Sequence, residues 1–464
     1  MESHVVEFDP SLVARYDVAG PRYTSYPAAP QFHSDFGEAA LRTAARASNT
    51  RSSRRPLSIY AHVPFCASPC FYCGCTRIIT RDRTKSVAYL DHLRREIALV
   101  APLFAPGRRV QQLHLGGGTP NFLDAGQIGE LLAAIAANFS FSAAAEREFG
   151  IELDPRSCDG DYVRALARLG FNRASIGIQD FDPAVQAAVN RVQSFGETRT
   201  VVEAARTSGF RSVSVDLIYG LPRQTQAGFA STLERVIALA PDRIACYAYA
   251  HLPDRFRPQR HIAAHELPDA ATRLALLGMT VDMLTTAGYR YIGMDHFARP
   301  NDDLARAQDA GTLQRNFQGY STCAECDLIG LGMSAISHVG PSFSQNARDL
   351  PAYYAALDAG QLPIVRGIAL TADDTIRADA IQSLMCHGKL DVCAFEARHA
   401  IDFADFFAVE LDRLRSLAED GLVVIGPRRL EVTARGRFLL RVIAMCFDAY
   451  LERGRPETRY SRAI

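Results

Sequence analysis

Six β-rich runs alternate with helical segments between residues 57 and 250, and this alternation constrains the fold more than any other feature of the sequence. The predicted strands are LSIYAHV (57–63), RVQQLHL (109–115), REFGIEL (147–153), RASIGI (173–178), RSVSVDLIY (211–219) and RIACYAYA (243–250). Repeated strand–helix alternation is typical of a parallel sheet with right-handed crossovers. We therefore predict an α/β fold built on an incomplete (β/α)6 barrel, with an open doubly wound sheet as the alternative.

Two of the intervening segments have the apolar spacing of amphipathic helices. In DAGQIGELLAAIAANF (124–139), Asp124 and Gln127 have the spacing of a capping box. Apolar residues then recur three or four positions apart and define one face: Ile128, Leu131, Leu132 and Ile135. The segment KSVAYLDHLRREIALVA (85–101) has a similar face, formed by Leu90, Leu93, Ile97 and Val100.

Polar residues, glycines and prolines follow all six predicted strands. The sequences at these strand ends are HVPFC (62–66), GGGTP (116–120), ELDP (152–155), Gln179 with Asp180, DLIYGLP (216–222) and AHLP (250–253). In barrels and open α/β sheets, this edge contains the active site. Ordinary turn chemistry accounts for the glycines and prolines, but it does not require Glu152, Gln179 and Asp216 on the same rim. We therefore predict a site there.

Four cysteines within ten residues follow the first strand: Cys66, Cys70, Cys73 and Cys75. The C-x3-C-x2-C spacing of the first three can hold three irons of a [4Fe–4S] cluster, and full ligation by protein would need a fourth thiolate. An open fourth iron can bind a small molecule directly. A structural zinc site is the alternative, although zinc sites usually combine a C-x2-4-C pair with a second, distant pair.

Other residues at the same edge suit a chelating ligand such as an amino acid. The triplet Gly116–Gly118 lets main chain approach a ligand closely. Glu152 and Asp216 suit recognition of hydroxyl or ammonium groups. Arg191 can pair bidentately with a carboxylate, and its alternative interpretation is a solvated helix residue.

Composition limits the classes of partner. Among 464 residues, 51 are basic and 51 acidic, which gives no indication of nucleic-acid or membrane-surface binding. The N-terminal sequence has no apolar signal region, and no apolar run approaches the roughly 18 residues of a membrane span. Eleven cysteines without an export signal indicate reduced thiols and a cytoplasmic protein.

The sequence divides into four predicted regions: an N-terminal extension or lid (1–56), the partial barrel (57–265), a barrel extension with substrate-side segments (266–368) and a mostly helical C-terminal domain (369–464). In the last region, helical segments such as FADFFAVELDRLRSLAEDG (403–421) precede a hairpin, LVVIGPRRLEVT (422–433), and resemble a winged helix. It lacks a strongly basic face, so we expect it to pack on the barrel rather than bind DNA. Cys323 and Cys326 form a further C-x2-C pair. We interpret Cys323 as a substitution and Cys326 as a packing residue, and an auxiliary metal site is the alternative.

The combination of CxxxCxxC after YAHVPF with a following GGGTP resembles the radical S-adenosylmethionine (SAM) superfamily. Further segments are similar to its oxygen-independent coproporphyrinogen III oxidase family: GPRYTSYP (20–27), CFYCGC (70–75), GIQDFD (177–182), AVNRVQ (188–193), IGMDHFARP (292–300), RNFQGY (315–320) and GMSAIS (332–337). The resemblance covers residues 20 to about 450 and implies a radical SAM partial barrel.

The resemblance also implies roles for individual residues. Cys66, Cys70 and Cys73 would ligate the cluster, whereas Cys75 would be an additional, non-ligating cysteine and, with Tyr60, a candidate catalytic residue. Positions matching contacts to the cluster-bound SAM are Tyr60, Gly117, Glu152 and Ile336. Positions matching contacts to a second SAM are Tyr72, Gly118, Thr119, Gln179, Arg191, Asp216 and Ala250. Tyr72 replaces a more usual phenylalanine, and its aromatic face is retained.

The implied reaction converts coproporphyrinogen III to protoporphyrinogen IX, with two propionates becoming vinyl groups and two CO2 released. It needs an electron donor such as flavodoxin or ferredoxin and an electron acceptor that the sequence does not identify, and we expect a monomer. Because the substrate has four carboxylates, Arg22, Arg299 and Arg315 are predicted carboxylate partners. Tyr23 and Tyr26 are predicted to offer flat faces to the tetrapyrrole.

Two other functional classes remain as alternatives. A radical-SAM-like haem chaperone shares CxxxCxxC and GGGTP but typically lacks the CGC cysteine, GPRYTSYP and RNFQGY, all present here. A DNA-binding iron–sulfur sensor would use the C-terminal domain, and the neutral net charge argues against it.

Overall fold

Six parallel strands neighbour one another in the main sheet in the order in which they occur along the chain. They are β1 (Leu57–Val63), β2 (Arg109–Gly117), β3 (Glu148–Leu153), β4 (Arg173–Gln179), β5 (Ser212–Tyr219) and β6 (Arg243–Ala248). A doubly wound sheet reverses its strand order at a switch point, and no reversal occurs among these six strands. The prediction of an incomplete barrel is therefore confirmed. This computed structural model describes residues 6–50, 55–323, 326–451, 460 and 462.

The predicted strand bounds agree with the structure to within about two residues. β1 is as predicted, whereas β2 extends two residues into the glycine triplet because Gly116 and Gly117 stay in register with His62 and Val63. The cysteine loop and the glycine loop therefore start side by side, at the ends of paired strands.

Helices connect the barrel strands: Thr84–Val100, Ala125–Asn138, Gly160–Arg168, Pro183–Ala188, Phe195–Thr207 and Gln226–Leu239. The predicted capping box is confirmed, since the Asp124 side chain accepts from the Gln127 main chain and the Gln127 side chain accepts from Asp124. The apolar faces predicted for the helices Thr84–Val100 and Ala125–Asn138 are buried. Together with the strands, these faces form the main hydrophobic core.

Further strands extend the sheet at both ends, and it does not close on itself. They are β7 (Arg290–Gly293), β8 (His296–Ala298), β9 (Asp327–Leu331), β10 (Ile336–His338), β11 (Ser342–Asn346) and β12 (Ile364–Ala369). β8 is antiparallel to β6, and β9 is parallel to β1. The same part of the chain contains a hairpin, Gln314–Asn316 with Gly319–Ser321. It also contains three helices: Ala270–Thr286, Asp303–Asp309 and Leu350–Asp358.

The C-terminal region combines helices with a three-stranded antiparallel sheet, as the winged-helix pattern predicts. The helices are Ala372–His387, Val392–His399, Phe403–Phe406, Ala408–Glu419 and Leu440–Met445, and the strands are Lys389–Asp391, Val423–Ile425 and Arg429–Val432. The single helix predicted from residue 403 is wrong, because the backbone of Phe407 leaves helical geometry and divides it in two. Phe407 is itself fully buried in the C-terminal core.

The N-terminal extension contains the helices Pro10–Arg15 and Glu38–Thr50. Tyr23 and Tyr26 between them are buried and pack in the C-terminal core, where Tyr23 donates a 3.0 Å hydrogen bond to Asp448. Both residues attach the extension to the C-terminal domain, and both also line a cavity beside the hairpin at residues 314–321, so their contact with a tetrapyrrole stays a prediction. Within the described ranges, no helix has both the length and the apolarity needed to cross a membrane.

Candidate active site

A cavity of about 330 Å³, the cysteine cavity, lies at the carboxyl edge of the barrel strands. All four cysteines of the loop after β1 line it, although they come from a segment with little regular structure. Residues from the ends of the neighbouring strands complete the wall: Gly118, Thr119, Glu152, Gln179 and Asp216. Arg191, from the loop after the helix Pro183–Ala188, joins them. The edge predicted to contain the site does contain a cavity where these residues meet.

Hydrogen-bond donors and cations surround two of the cysteine sulfurs. The hydroxyl of Thr119 donates to the Cys66 sulfur at 3.2 Å. Guanidinium nitrogens of Arg156 and Arg191 each lie 3.6 Å from the Cys70 sulfur. These contacts place positive charge beside Cys70, and cysteine binds metal as the negatively charged thiolate.

A hydrogen bond joins the side chains of Cys73 and Cys75 and shifts their pKa values in opposite directions. A hydrogen bond from the Cys75 thiol lowers the pKa of Cys73 to about 6, and the same bond raises the pKa of Cys75 well above its usual value. The main-chain N–H of Cys75 also points at the Cys73 sulfur, 3.5 Å away. The hydrogen bond therefore makes Cys73 the more acidic thiol of the pair. By contrast, burial raises the pKa of Cys66 to about 11.

The donor set suits an iron–sulfur cluster. Three thiols from one loop line one cavity, with cations beside Cys70 and a hydrogen-bonded, acidic thiol at Cys73. In the described ranges no three His, Cys, Asp or Glu side chains converge closely enough to hold a single metal ion. A cluster does not require convergence on one point, because each thiolate binds a different iron.

The glycine loop lies against the protein's own backbone as well as the cavity. The main-chain N–H groups of Gly118 and Thr119 donate to Val63 and Phe65 at 2.8 and 2.9 Å. A Cβ at Gly118 would lie 2.7 Å from the carbonyl carbon of Pro64. These contacts hold the glycine loop against the cysteine loop, so the N–H groups of Gly118 and Thr119 are bound to the protein's own backbone.

Glu152 bridges the glycine loop and the barrel interior. Its carboxylate accepts from the Gly117 main-chain N–H at 3.1 Å and lies 3.4 Å from His114 Nε2. Burial alone would raise the pKa of Glu152, but the contacts with His114 and Gly117 outweigh it, and the pKa is lowered. Glu152 is consequently an anion that faces the cavity.

The pKa of Asp216 is shifted in the opposite direction from that of Glu152. Burial, assisted by the negative charge of Glu152, raises the pKa of Asp216 to about 7, and the hydroxyl of Ser175 donates to it at 3.0 Å. Arg191 is buried rather than solvated: it is bound to the Gly177 carbonyl at 2.7 Å and paired with Asp154 at 3.3 Å. The cavity wall therefore combines two carboxylates whose pKa is lowered, Glu152 and Asp154, with one readily protonated carboxyl, Asp216. Its cations are Arg77, Arg156 and Arg191.

Three of the predicted SAM contacts do not line the cysteine cavity. Tyr60 stacks on His114 in the sheet, and Ile336 packs beside Gly330 on the neighbouring strand β9. Ala250 lies behind Tyr72, where the amide of Gln259 donates to both carbonyls at 3.1 and 3.0 Å.

Sequence reasoning missed two residues that shape this site, Gln259 and Arg156. Arg156 had a recoverable signal, since it directly follows the ELDP segment at the end of β3. Gln259 had no such signal, because it lies in a short 3-10 helix, Arg257–His261, outside every motif that the sequence analysis used.

A second cavity, of about 190 Å³, occupies the barrel interior and shares residues with the first: Glu152, Ser175, Asp216 and Tyr247. The two are therefore continuous at the carboxyl edge of β3 to β6. Arg22 lies over the Tyr247 ring at 5.7 Å and is paired with Asp295. Arg299 instead donates to Pro241 and packs on Tyr289, at the opposite end of β6, so its prediction as a substrate partner is wrong.

Comparison with known protein families gives two matches. The model of the radical SAM superfamily matches residues 60–236, and that of the HemN C-terminal domain matches residues 370–439. Both agree with the regions described above as the barrel and the C-terminal helical domain.

Curated relatives cover the whole chain. The oxygen-independent coproporphyrinogen III oxidase of Pseudomonas aeruginosa is 49% identical over 459 residues, 99% of each chain. The enzyme of the same name from Escherichia coli is 47% identical over 464 residues, all of both chains. The solved structure of coproporphyrinogen III oxidase from Escherichia coli, described as a radical SAM enzyme, superposes with a TM-score of 0.91 at 47% identity and covers 96% of this chain and 100% of that one.

Proposed function

Since this chain belongs to the family of oxygen-independent coproporphyrinogen III oxidases, we propose that the cysteine cavity is its radical SAM site. The enzyme performs the family's reaction, the oxidative decarboxylation of coproporphyrinogen III to protoporphyrinogen IX, in porphyrin biosynthesis. The observation that carries the site assignment is that Cys66, Cys70 and Cys73 line one cavity with Glu152 and Asp216.

The three cysteines hold the [4Fe–4S] cluster in this proposal, and Cys75 does not. Guanidinium groups of Arg156 and Arg191 lie beside the Cys70 sulfur, and the Cys75 thiol is hydrogen-bonded to the Cys73 sulfur and lowers the pKa of Cys73. When bound, the cluster and SAM supply a 5′-deoxyadenosyl radical, which can remove a hydrogen atom from an unactivated carbon. That chemistry is needed because no side-chain base removes hydrogen from a propionate β-carbon at neutral pH.

The carboxyl groups of the cavity suit the polar parts of SAM. Glu152, ionised and fixed by Gly117, can accept hydrogen bonds from ammonium or ribose hydroxyl groups. Tyr60 and Ile336 lie on the β1 side of the site, where Tyr60 pairs with Gly330 of β9. We assign Tyr60, Gly117, Glu152 and Ile336 to the SAM that contacts the cluster.

A second SAM is assigned to the other side of the cavity. Asp216 can accept from ribose hydroxyls, Gln179 projects from the end of β4, and Tyr72 offers an aromatic face. The backbone of Gln179 is in the left-handed region, with φ of 68°, a conformation that costs a non-glycine residue free energy and is frequent at ligand sites. The full assigned set is Tyr72, Gly118, Thr119, Gln179, Arg191, Asp216 and Ala250.

Each decarboxylation removes one hydrogen atom from the β-carbon, CO2 from the carboxylate and one electron. An external one-electron donor, such as a flavodoxin or a ferredoxin, supplies an electron to the site. A separate acceptor takes the electron that remains after CO2 leaves. The chain's own task is to orient the β-carbon, exclude water and keep the cofactor ligands fixed.

The decisive experiment is an anaerobic assay of the reconstituted protein with coproporphyrinogen III, SAM and dithionite. We expect protoporphyrinogen IX, two CO2 per substrate and 5′-deoxyadenosine, with iron and sulfide content near four per chain. A haem chaperone would bind haem and yield no vinyl product, and that result would overturn the proposed function.

The number of SAM molecules is tested separately by equilibrium dialysis of the reconstituted protein. We expect two SAM per chain in the unaltered protein and one in Gln179→Ala, with cluster content unchanged in both. A stoichiometry of one in the unaltered protein would remove the second site and leave the reaction assignment standing.

A further inference from the structure

A third cavity, of about 140 Å³, lies between the N-terminal extension, the hairpin at residues 314–321 and the C-terminal helix Ala372–His387. We call it the hairpin cavity; its wall includes Ser25, Gln112, Arg315, Phe317 and Gln382. No acidic side chain occurs among the described residues that line it. Gln112 also lines the barrel interior, so the two cavities are neighbours.

Arg315 is a buried cation whose charge has no counter-ion in the described part of the chain. Its residue is 4% exposed, and its guanidinium Nε donates to the Arg22 carbonyl at 3.1 Å. Its Nη1 is buried without any hydrogen-bond partner. Isolated buried charges are costly unless they are paired and hydrogen-bonded. The guanidinium is therefore poised to bind an anion that is not part of this chain's described residues.

A second unpartnered polar atom occurs on the same cavity wall. Ser25 is 4% exposed, and its hydroxyl oxygen is buried with no hydrogen-bond partner. A hydroxyl can donate to a carboxylate oxygen. Ser25 comes from the N-terminal extension and Arg315 from the hairpin, so two separate segments present unused donors to one cavity.

The surroundings of Arg315 are electropositive. Arg22 and Arg441 lie nearby, with Asp295 as the carboxylate that pairs with Arg22. Burial, followed by repulsion from Arg22, lowers the pKa of Arg441 to about 10. A net positive environment of this kind favours an anionic ligand over a neutral one.

We propose that Arg315 and Ser25 form a carboxylate-binding site, and that in this enzyme it holds a propionate of coproporphyrinogen III. The identity of the carboxylate rests on the proposed function, whereas the binding chemistry rests on the unpartnered donors. Anchoring one propionate in the hairpin cavity leaves the remainder of the tetrapyrrole directed towards the barrel interior, which is continuous with the cysteine cavity at Glu152 and Asp216.

The test uses coproporphyrin III, the oxidised and fluorescent form of the substrate, which keeps all four propionates. Its affinity is measured by fluorescence titration of the full-length protein, with no need for cluster, SAM or turnover. Loss of a charge-assisted hydrogen bond gives an expected rise in Kd of about 10- to 100-fold for Arg315→Met. We expect a smaller rise for Arg315→Lys and for Ser25→Ala.

Two controls separate this site from other effects. Arg299→Met removes a guanidinium at the far end of β6 and should bind coproporphyrin III like the unaltered protein. Coproporphyrin III tetramethyl ester, which has no carboxylates, should bind the unaltered protein and Arg315→Met with the same weak affinity. Thermal unfolding of each variant verifies that it is folded.

Unchanged affinity of Arg315→Met for coproporphyrin III, in a folded protein, would overturn the proposal. So would equal affinity of the unaltered protein for the ester and the free acid. Failure of the proposed function gives a different result: the unaltered protein would bind coproporphyrin III through Arg315 but would form no vinyl product from coproporphyrinogen III.

Discussion

Glu152 and Asp216 face the same cavity from neighbouring parts of the barrel, and the negative charge of Glu152 helps to keep Asp216 protonated near neutral pH. Burial makes the larger contribution, so the pKa of Asp216 is raised to about 7. Glu152 remains ionised because His114 and Gly117 hold it. Two carboxyl groups of similar intrinsic acidity thus have different charges in one site.

This difference predicts the pH dependence of the protein without SAM. A carboxyl whose pKa is raised in the folded state stabilises the fold at low pH, and that contribution is lost as pH rises from its unfolded value near 3.8 to about 7. Relative to the unaltered protein, Asp216→Asn should therefore gain stability over this interval, by up to about 1.4 kcal/mol per pH unit. Urea unfolding at pH 5, 6, 7 and 8 measures the difference.

The coupling to Glu152 provides the control for that measurement. Glu152→Gln removes the charge that assists in raising the pKa of Asp216, so the stability gained through Asp216→Asn should be smaller in that background. Measurements above pH 5 avoid the opposite effect of Glu152, whose lowered pKa gives stability that is lost on acidification. A pH-independent difference between Asp216→Asn and the unaltered protein would contradict the raised pKa.

Cys70 is expected to be indispensable for the cluster. Cys70→Ser removes the sulfur that two guanidinium groups surround, so reconstituted protein should lose most iron and the broad iron–sulfur absorbance. Cys393→Ser is the matched control, since Cys393 is an exposed cysteine of the C-terminal domain. Iron and sulfide analysis of both proteins checks the prediction, and a full cluster in Cys70→Ser would refute the ligand role.

Cys75→Ser should separate cluster binding from catalysis. A serine hydroxyl retains a hydrogen-bond donor beside Cys73 but donates from oxygen instead of sulfur, so iron content should stay close to that of the unaltered protein. Turnover of coproporphyrinogen III should fall by at least about tenfold if Cys75 acts in the reaction, as general acid–base groups contribute at least that much. Loss of the cluster itself in Cys75→Ser would instead identify Cys75 as a ligand.

The sequence predicted the barrel, and the position of the four cysteines at its carboxyl edge, because both depend on local patterns. The apolar strand β1, the capping box at Asp124 and the cysteine spacing are each encoded within a few consecutive residues. Their meeting at one edge follows from parallel topology, since the carboxyl ends of successive strands must lie together.

What the sequence did not reveal depends on contacts between distant segments. Tyr23 packs with residues more than 400 positions away, so its burial was hidden from any local pattern. Arg22, Arg299 and Arg315 are indistinguishable as isolated arginines. The structure separates them, because Arg22 pairs with Asp295, Arg299 lies at the wrong end of β6, and Arg315 alone has an unpartnered buried nitrogen.

Gly118 should be intolerant of any side chain, for a reason that concerns the protein backbone before it concerns a ligand. A Cβ there would approach the Pro64 carbonyl carbon to 2.7 Å and its oxygen to 2.8 Å, and main chain cannot yield as a flexible side chain can. Gly118→Ala should therefore displace the glycine loop from the cysteine loop and destabilise the protein by about 1–3 kcal/mol.

Gly37→Ala is the matched control, because a Cβ at Gly37 meets no described atom within 4 Å. Urea unfolding and iron content are measured together for both variants: we expect lower values of each for Gly118→Ala and values close to the unaltered protein for Gly37→Ala. Equal stability of the two variants would mean that the loop can move away from Pro64, and the close packing of the cysteine and glycine loops would then not be needed to form the site.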